Sequence, residues 1–464
     1  MCPKGGQIRH TLDRPAPGRR QHSPGNALRI GADHGLAWPL VPDFQAPRGM
    51  ADVLAPQSER WARLLAIFAG LAERAGFGLV ITPLIEHLEV FQRVGESTDI
   101  VRKEMYDFED KGGRRVAVRP EITAGLMRAF AEHHPAVPWK AWTAGPNFRY
   151  EAPQAARYRQ HFQVDAEIVG TDDPDADVEV IALLDGFHRA LGLTQRRLVV
   201  NSLGDDASRA AYLAALTAHL QSNAADLSEQ SRETLALNPL RVLDSRRPED
   251  QPVVAAAPQV LEYLTADAEA RFDRVQEGLK VLGIAFEIEP RLVRGLDYYN
   301  HTLFEFPSHA LDSAQNAIGG GGRYNGLVEA LGGPPGTGGV GFGAGIERIL
   351  LACDAEGVFA APTARVQVYV VDTSGGQEAL ALAAELRSAG IAADRSFDQR
   401  SMKSQMKAAD RSGAAIAVIV GPDELAAGVV TLRALRADDD QAYRRQEAVP
   451  RTGLVDAARA WLPS

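Results

Sequence analysis

The chain has 464 residues, 45% hydrophobic and 24% charged, with a formal net charge of -10. At about 150 residues per domain, that length implies roughly three cores; no apolar run approaches the ~20 residues that would span a bilayer, and the acidic balance excludes a general nucleic-acid coat while leaving room for a local basic groove on RNA phosphates. The two cysteines, Cys2 and Cys353, and the lack of any CxxC or HxxxH spacing argue against a disulfide framework or a structural zinc site and fit a reducing cytosol.

Residues 1 to about 44 are rich in Pro, Gly, Arg and His (Pro15, Pro17, Arg19, Arg20, His22, Pro24) and follow no helical or strand period. Such arginines serve RNA contact or targeting, or a solvated tail. With no continuous apolar segment and no amphipathic pattern, the reading is a disordered extension without a catalytic role. From Gln57 the period becomes helical: Trp61, Leu64, Leu65, Phe68 and Leu71 share a face, and Gly76 can end the helix. LVITP (Leu79 to Pro83) reads as a strand closed by proline. EMYDFEDKGGRRVAVR, over 104–119, reads as a hairpin turning at DKGG. WTAGPNFRYE and HFQVDAEIVG form a further strand pair joined by a polar, basic loop. The next helix has Asp173 as its cap, Pro174 in its first turn and Gly192 past its end.

Residues near 205–285 are almost all helical in character, with a loop around NPLRVLDSRRPED, and interrupt the strand-rich part as an inserted helical domain. A strand returns at 302–306, followed by GGGGRYNGL, a Gly/Pro loop, and GFGAGIERIL as a strand-to-helix turn. After a linker near 361–364, VQVYVV, EALALAAELRSAG, IAADRS, MKSQMKAADRSG and AAIAVIVG alternate as β-α-β-α-β. That series predicts a small, mostly parallel α/β domain with right-handed crossovers. On or near one face of its second helix lie Lys403, Lys407 and Arg411, an RNA-facing surface or an ordinary solvated one.

Several residue sets can carry chemistry, and each has a plain structural alternative. Arg149 and Glu151 share a strand face, as do Gln163, Asp165 and Glu167; paired charges of this kind make a solvated ladder or the floor of a polar pocket. In RLVRGLDYYNHTLFEF (291–306), Tyr298 and Tyr299 are strand aromatics or ligand contacts. The glycines before Arg323 allow close backbone approach to a ligand or a tight strand, and match neither a Walker loop nor a dinucleotide fingerprint. Arg348, after GFGAG, caps a carboxylate or reaches a phosphate.

The order of these signals is more specific than any one of them. A strand ending in proline, an FRxE strand-loop-strand and a GxGxGxxR strand-helix resemble the three signature motifs of class II aminoacyl-tRNA synthetases. LVRGLDYYNHTLFEF and GGGGRYNGL, between the second and third, resemble the signatures of the histidyl-tRNA synthetase family. The resemblance runs from about Phe44 to the C-terminus. It implies an α+β class II catalytic domain over 45–364, an antiparallel sheet flanked by helices with the helical insertion at about 205–285. It also implies a C-terminal α/β anticodon-binding domain over 365–464, and a homodimer built on the first motif with Pro83.

The activity implied is cytoplasmic ATP-dependent ligation of L-histidine to tRNA(His) through a histidyl-adenylate, with Mg2+ accompanying ATP, no protein-only metal cage and no membrane contact. Carried over by position, Arg149 and Arg348 would hold the ATP phosphates, Glu151 the adenine amino group and Arg157 the outer phosphates. Glu121, Thr123 and Gln163 would grip the α-ammonium, and Glu167, Tyr299 and Tyr324 would surround the imidazole. Arg294 would neutralise charge between the histidine carboxylate and the α-phosphate. Tyr298 reads as packing and Asp297 as an orienting group. Two departures from the family pattern stand out: Ala152 replaces a usual arginine in the acceptor-end loop, and His161 stands where a phenylalanine commonly stacks on adenine, with Phe162 beside it as the other candidate. The rival reading is the synthetase-like regulatory subunit of ATP phosphoribosyltransferase, whose members usually lack the anticodon domain and degrade the histidine signatures. Relatives usually begin just ahead of FQAPRGMADVL, and no methionine lies between Met1 and Met50. The expectation is that residues 1 to about 40 are dispensable, with a non-AUG start near Val41 as one cause.

Overall fold

The computed structural model describes residues 44–95, 100–151, 158–296, 298–311, 316–362, 364–398, 400–436 and 445–462. The N-terminal extension to residue 43, the loop residues Ala152 and Arg157, and Asp297 lie outside them. The predicted first helix is α1 (Gln57–Arg74), which buries Arg60, Leu64, Phe68 and Ala72. Each large apolar side chain so buried contributes about 2 kcal/mol. Buried Arg60 pairs with Asp354 at 2.7 Å and donates to Phe359 O at 2.7 Å, anchoring the helix to the segment around residue 355.

The LVITP strand is shorter than predicted. β1 covers only Gly78–Leu79, because after Val80 donates to Trp142 O the chain leaves the sheet edge, with Ile81 84% exposed. Next come β2 (Ile85–His87), α2 (Leu88–Gly95), β3 (Tyr106–Glu109) and β4 (Arg115–Val118). The DKGG turn joins the last two as predicted, and β2 adds a third strand in the order β2-β4-β3. An unpredicted helix, α3 (Thr123–His133), follows. β5 (Trp139–Phe148) and β6 (Gln160–Val169) are the antiparallel pair, and α4 (Pro174–Ala190) starts with Asp173 accepting from Asp175 N. β7 (Val199–Ser202) precedes the helical stretch of α5 (Asp206–Ser222), α6 (Glu229–Leu237), α7 (Gln251–Ala255) and α8 (Ala266–Val281), which returns through β8 (Glu287–Ile288) to β9 (Asn300–Pro307). β10 (Ala317–Tyr324), α9 (Leu327–Ala330), β11 (Gly339–Gly345) and α10 (Ile346–Glu356) complete this part.

The main sheet runs β1-β5-β6-β11-β10-β9-β7-β8, antiparallel from β5 to β7 with a short parallel strand at each edge. One face carries the helices. Leu64 and Phe68 of α1, Ile181 and Phe187 of α4, Phe272 and Val275 of α8 and Ile349 of α10 share a core with Val164, Ala166, Ile168 and Phe342. The other face is partly covered by α3 and the helical stretch, whose Leu126, Met127, Tyr212 and Leu216 form a second core with Val199 and Leu303.

In the C-terminal part, β12 (Val368–Asp372), α11 (Gln377–Ser388), β13 (Ala393–Arg395), α12 (Met402–Arg411) and β14 (Ile416–Val420) follow the predicted alternation. The sheet is mixed rather than mostly parallel. Beyond α13 (Pro422–Ala427), β15 (Val429–Ala434) and β16 (Gln446–Pro450) add two antiparallel strands in the order β13-β12-β14-β15-β16, before a final helix at Leu454–Trp461.

Candidate active site

The open face of the main sheet is built by two alternations in register. On β6, Val164, Ala166 and Ile168 turn into the helical core, which leaves Gln163, Asp165 and Glu167 on the opposite face. On β11, opposite those three residues, stand Gly345, Gly343 and Gly341. A Cβ on Gly341 would overlap the Glu167 carboxylate, so the side chains of β6 occupy the space that the glycines leave.

At one end lies a cavity of about 270 Å³ lined by Arg149, Arg294 and Arg348 together with Glu151, His161 and Gln163. Arg149 donates from Nε to Pro120 O at 2.9 Å. Arg294 pairs through Nη1 with Glu305 at 2.6 Å. Burial works against the Arg294 charge, yet Glu305 and the neighbouring phenols hold its pKa above the ordinary value. Burial, then the charges of Arg149 and Arg348, push the His161 pKa down to about 3, so its imidazole is neutral at physiological pH. Phe162 points away from this cavity and meets Trp61 edge-on at 5.0 Å. Of the two candidates for adenine stacking, His161 is the one at the cavity wall.

At the other end the groups are acidic and phenolic. Glu167 accepts from Thr123 Oγ1 at 2.8 Å and from the Tyr324 hydroxyl at 2.5 Å. Burial is the main cause that raises its pKa to about 8. Glu121 accepts from Ala124 N at 2.8 Å, in the first turn of α3, and burial raises its pKa too. Tyr298 lies tilted against Tyr299 with centroids 4.6 Å apart and meets Tyr324 edge-on at 5.7 Å. Gln163, between the two ends, accepts from the Asn147 amide.

Arg149, Glu151, His161, Gln163, Arg294 and Arg348 therefore line one cavity, while Thr123, Glu167 and Tyr324 are joined by hydrogen bonds and Glu121 and Tyr299 lie near enough to act on neighbouring charges. Arg149 and Glu151 do not share a strand face. β5 ends at Phe148, and Glu151 N turns back onto Arg149 O at 2.8 Å, so a bend rather than strand alternation brings both to the cavity. Arg323 is a structural residue: fully buried, it donates from Nε to Asp177 at 3.0 Å and ties β10 to α4. Sequence reasoning missed Glu305 and Glu347. The first is the one charge in the alternating run TLFEF, and the second precedes Arg348 directly. Glu347 accepts from Phe162 N at 3.0 Å, and burial raises its pKa to about 7.

The sequence matches the family model described as histidyl-tRNA synthetase over residues 49–349, and the anticodon binding domain model over residues 366–461. It is 47% identical over 422 residues to a Rhodococcus erythropolis protein named "Histidine--tRNA ligase", covering 89% of this chain and 97% of that one. A protein of the same name from Anoxybacillus flavithermus is 44% identical, with 86% and 96% covered. Among solved structures, the apo histidyl-tRNA synthetase of S. aureus superposes with a TM-score of 0.74 at 32% identity, covering 90% of this chain and all of that one.

Proposed function

This chain belongs to the histidyl-tRNA synthetase family, and from that premise we propose how its residues share the work of the reaction. It is a class II enzyme that ligates histidine to tRNA at the expense of ATP. The observation that carries the residue assignments is the joined site: a cavity with three arginines, opening beside buried carboxyls and phenols on one face of one sheet.

The α-ammonium of histidine is taken by Glu121, Thr123 and Gln163. Its imidazole lies between Glu167, which accepts the ring N–H, and the phenols of Tyr299 and Tyr324, a pairing that reads one donor and one acceptor. Arg149 and Arg348 hold ATP phosphates with planar, charge-assisted hydrogen bonds, Glu151 takes the adenine amino group, and neutral His161 stacks on the base. The histidine carboxylate oxygen then bonds to the α-phosphorus while the bond to the bridging oxygen breaks, and pyrophosphate leaves with the electron pair. Arg294 exchanges Glu305 for the charge growing on the α-phosphate. The 3′-terminal ribose of tRNA(His) next attacks the adenylate, releasing AMP. Mg2+ would neutralise phosphate charge. With no cluster of three metal-ligating side chains among the described residues, it would be held mainly through phosphate oxygens, with Glu151, Glu305 and Glu347 as the carboxylates in the cavity wall.

The C-terminal residues 365–464 take the anticodon side of the tRNA, and the site of this reaction is the cytoplasm. No helix among the described residues is long and apolar enough to cross a membrane. A second copy of the chain covers the edge around β1 and β2, where Leu79, Ile81, Leu84 and Ile85 are 55%, 84%, 44% and 50% exposed. A run of exposed apolar side chains at a sheet edge is a surface that asks for a partner. Histidine-dependent exchange of pyrophosphate into ATP tests the reading. Exchange with histidine and with no other amino acid is expected, and a folded protein without it would overturn the proposal.

A further inference from the structure

Asp165 sits at the middle of the site, on the same face of β6 as Gln163 and Glu167, and has no part in the assignments above. It is 3% exposed, and its Oδ2 has no hydrogen-bond partner among the described residues. A buried carboxylate oxygen left unpaired is costly, and such groups normally find a donor. Its Oδ1 and the Gln163 amide flank Gly343, 2.8 Å and 2.7 Å from where a Cβ would stand, and Gly343 itself lines the arginine cavity. Arg119, whose charge acts on Asp165, directs Nε to Pro146 O at 2.9 Å and Nη1 to Thr82 Oγ1 at 3.1 Å and makes no hydrogen bond to Asp165 Oδ2.

We infer that Asp165 is an acceptor for the α-ammonium of the substrate, completing with Glu121 and Gln163 a buried three-acceptor cage. The inference rests on the histidine-activating reading and extends it. An ammonium has three N–H donors. Of the residues assigned to it, Thr123 gives its hydroxyl proton to Glu167 at 2.8 Å and offers the ammonium a neutral oxygen lone pair, without a charge to match. Glu121 takes Ala124 N on Oε1 at 2.8 Å, and Thr123 also hydrogen-bonds its carboxyl, which keeps lone pairs for the ligand. The Gln163 carbonyl oxygen accepts from Asn147 and has a second lone pair. Asp165 Oδ2 is the third acceptor. The charges agree: burial, Glu167 and Glu121 all push the Asp165 pKa well above the carboxylate range, while Arg119 and Arg149 oppose them. A bound ammonium relieves that concentration of negative charge. A substrate analogue without one cannot.

The test is Asp165→Asn in the full-length protein, read by pyrophosphate exchange with two competing inhibitors. Histidinol keeps the ammonium and lacks the carboxylate; imidazolepropionate keeps the carboxylate and lacks the ammonium. The KM for histidine and the inhibition constant for histidinol should each rise about 10- to 100-fold, the range for losing a charge-assisted bond. The KM for ATP and the imidazolepropionate constant should stay within about twofold, or the latter should tighten. Equal weakening of both analogues would mean that Asp165 only balances Arg119 and holds the pocket, and unchanged histidinol inhibition would mean that it makes no contact; either result overturns the inference. Absence of exchange in the wild type would instead defeat the underlying reading. Asp165→Ser carries the same comparison if the amide variant does not fold.

Discussion

The two ends of the site differ in almost every electrostatic respect although they share a strand. β6 brings His161 to the arginine end and Glu167 to the acidic end. At ~3.4 Å per residue, these lie roughly 20 Å apart along one strand. At the first end burial, helped by the charges of Arg149 and Arg348, keeps a histidine neutral. At the second, burial leaves carboxyls that bind protons more tightly than they would in water. A zwitterionic amino acid in such a field has one favourable orientation, ammonium toward the acids and carboxylate toward the arginines, and that orientation points its nucleophile at the phosphates. The field thus contributes to alignment before any single contact selects the side chain.

Breaking the arginine end should give the largest effect. Arg294→His is expected to slow adenylate formation about 100- to 1,000-fold, as for the loss of a group that acts on transition-state charge, while changing the KM for ATP by less than roughly threefold, since Arg149 and Arg348 remain. Rapid-quench measurement of the first turnover separates the two quantities. An unchanged rate would remove Arg294 from the chemistry and leave its Glu305 pair as a structural ion pair.

Altering the acidic end should produce a smaller effect of a different kind. Glu167→Gln keeps the shape of the side chain but weakens its acceptance from Thr123, Tyr324 and the substrate ring. The KM for histidine should rise about 10- to 100-fold with the KM for ATP unmoved. If both constants moved together, the two ends would be one cooperative unit and the division drawn here would be wrong.

Much of this division was legible because it rests on local periods. The alternation of HFQVDAEIVG showed which residues of β6 share a face, whereas the space that the glycines of GFGAG leave for those side chains became visible only from the β6–β11 register. What escaped depended on partners distant in sequence. The role of Arg323 went unread because its partner Asp177, 146 residues earlier, is brought to it only by the packing of α4 against β10. Glu305 was passed over because only strand pairing and the Arg294 loop bring it to the cavity. The bend at Glu151 and the departure of the chain after β1 are backbone choices at strand ends, where alternation no longer constrains the reading. β15 and β16 were missed because a β-α-β-α-β pattern invites further parallel strands and carries no mark of the antiparallel return.

The C-terminal part sharpens the comparison from outside the main sheet. If histidine and ATP are read wholly by the two ends described, removing residues 366–464 should cost tRNA charging far more than pyrophosphate exchange, which should fall less than about fivefold once chains of equal oligomeric state are compared. Equal loss of both activities in a truncated protein that stays dimeric would show that the C-terminal part also shapes the small-molecule site.

The smallest effect is on stability, and it has a definite sign. The carboxyl of Glu167 has an ordinary pKa of 4.5 and, chiefly through burial, a folded value of about 8. Below pH 4.5 folded and unfolded chains both hold this proton, whereas between 4.5 and 8 the folded chain alone does. Stability therefore falls as pH rises through that window, and the loss is complete above it. Glu121, Asp165 and Glu347 are raised as well and act in the same direction. The wild type should lose roughly 2–6 °C in Tm between pH 5 and pH 8, and Glu167→Gln, which cannot ionise, should lose less. Saturating histidine should flatten the wild-type curve, because an ammonium among the acids favours their charged forms. Differential scanning calorimetry across that range measures all three curves, and parallel curves for wild type and variant would mean that Glu167 ionises in the folded protein as it does in water, leaving the acidic end without the buried charge that distinguishes it from the arginine end.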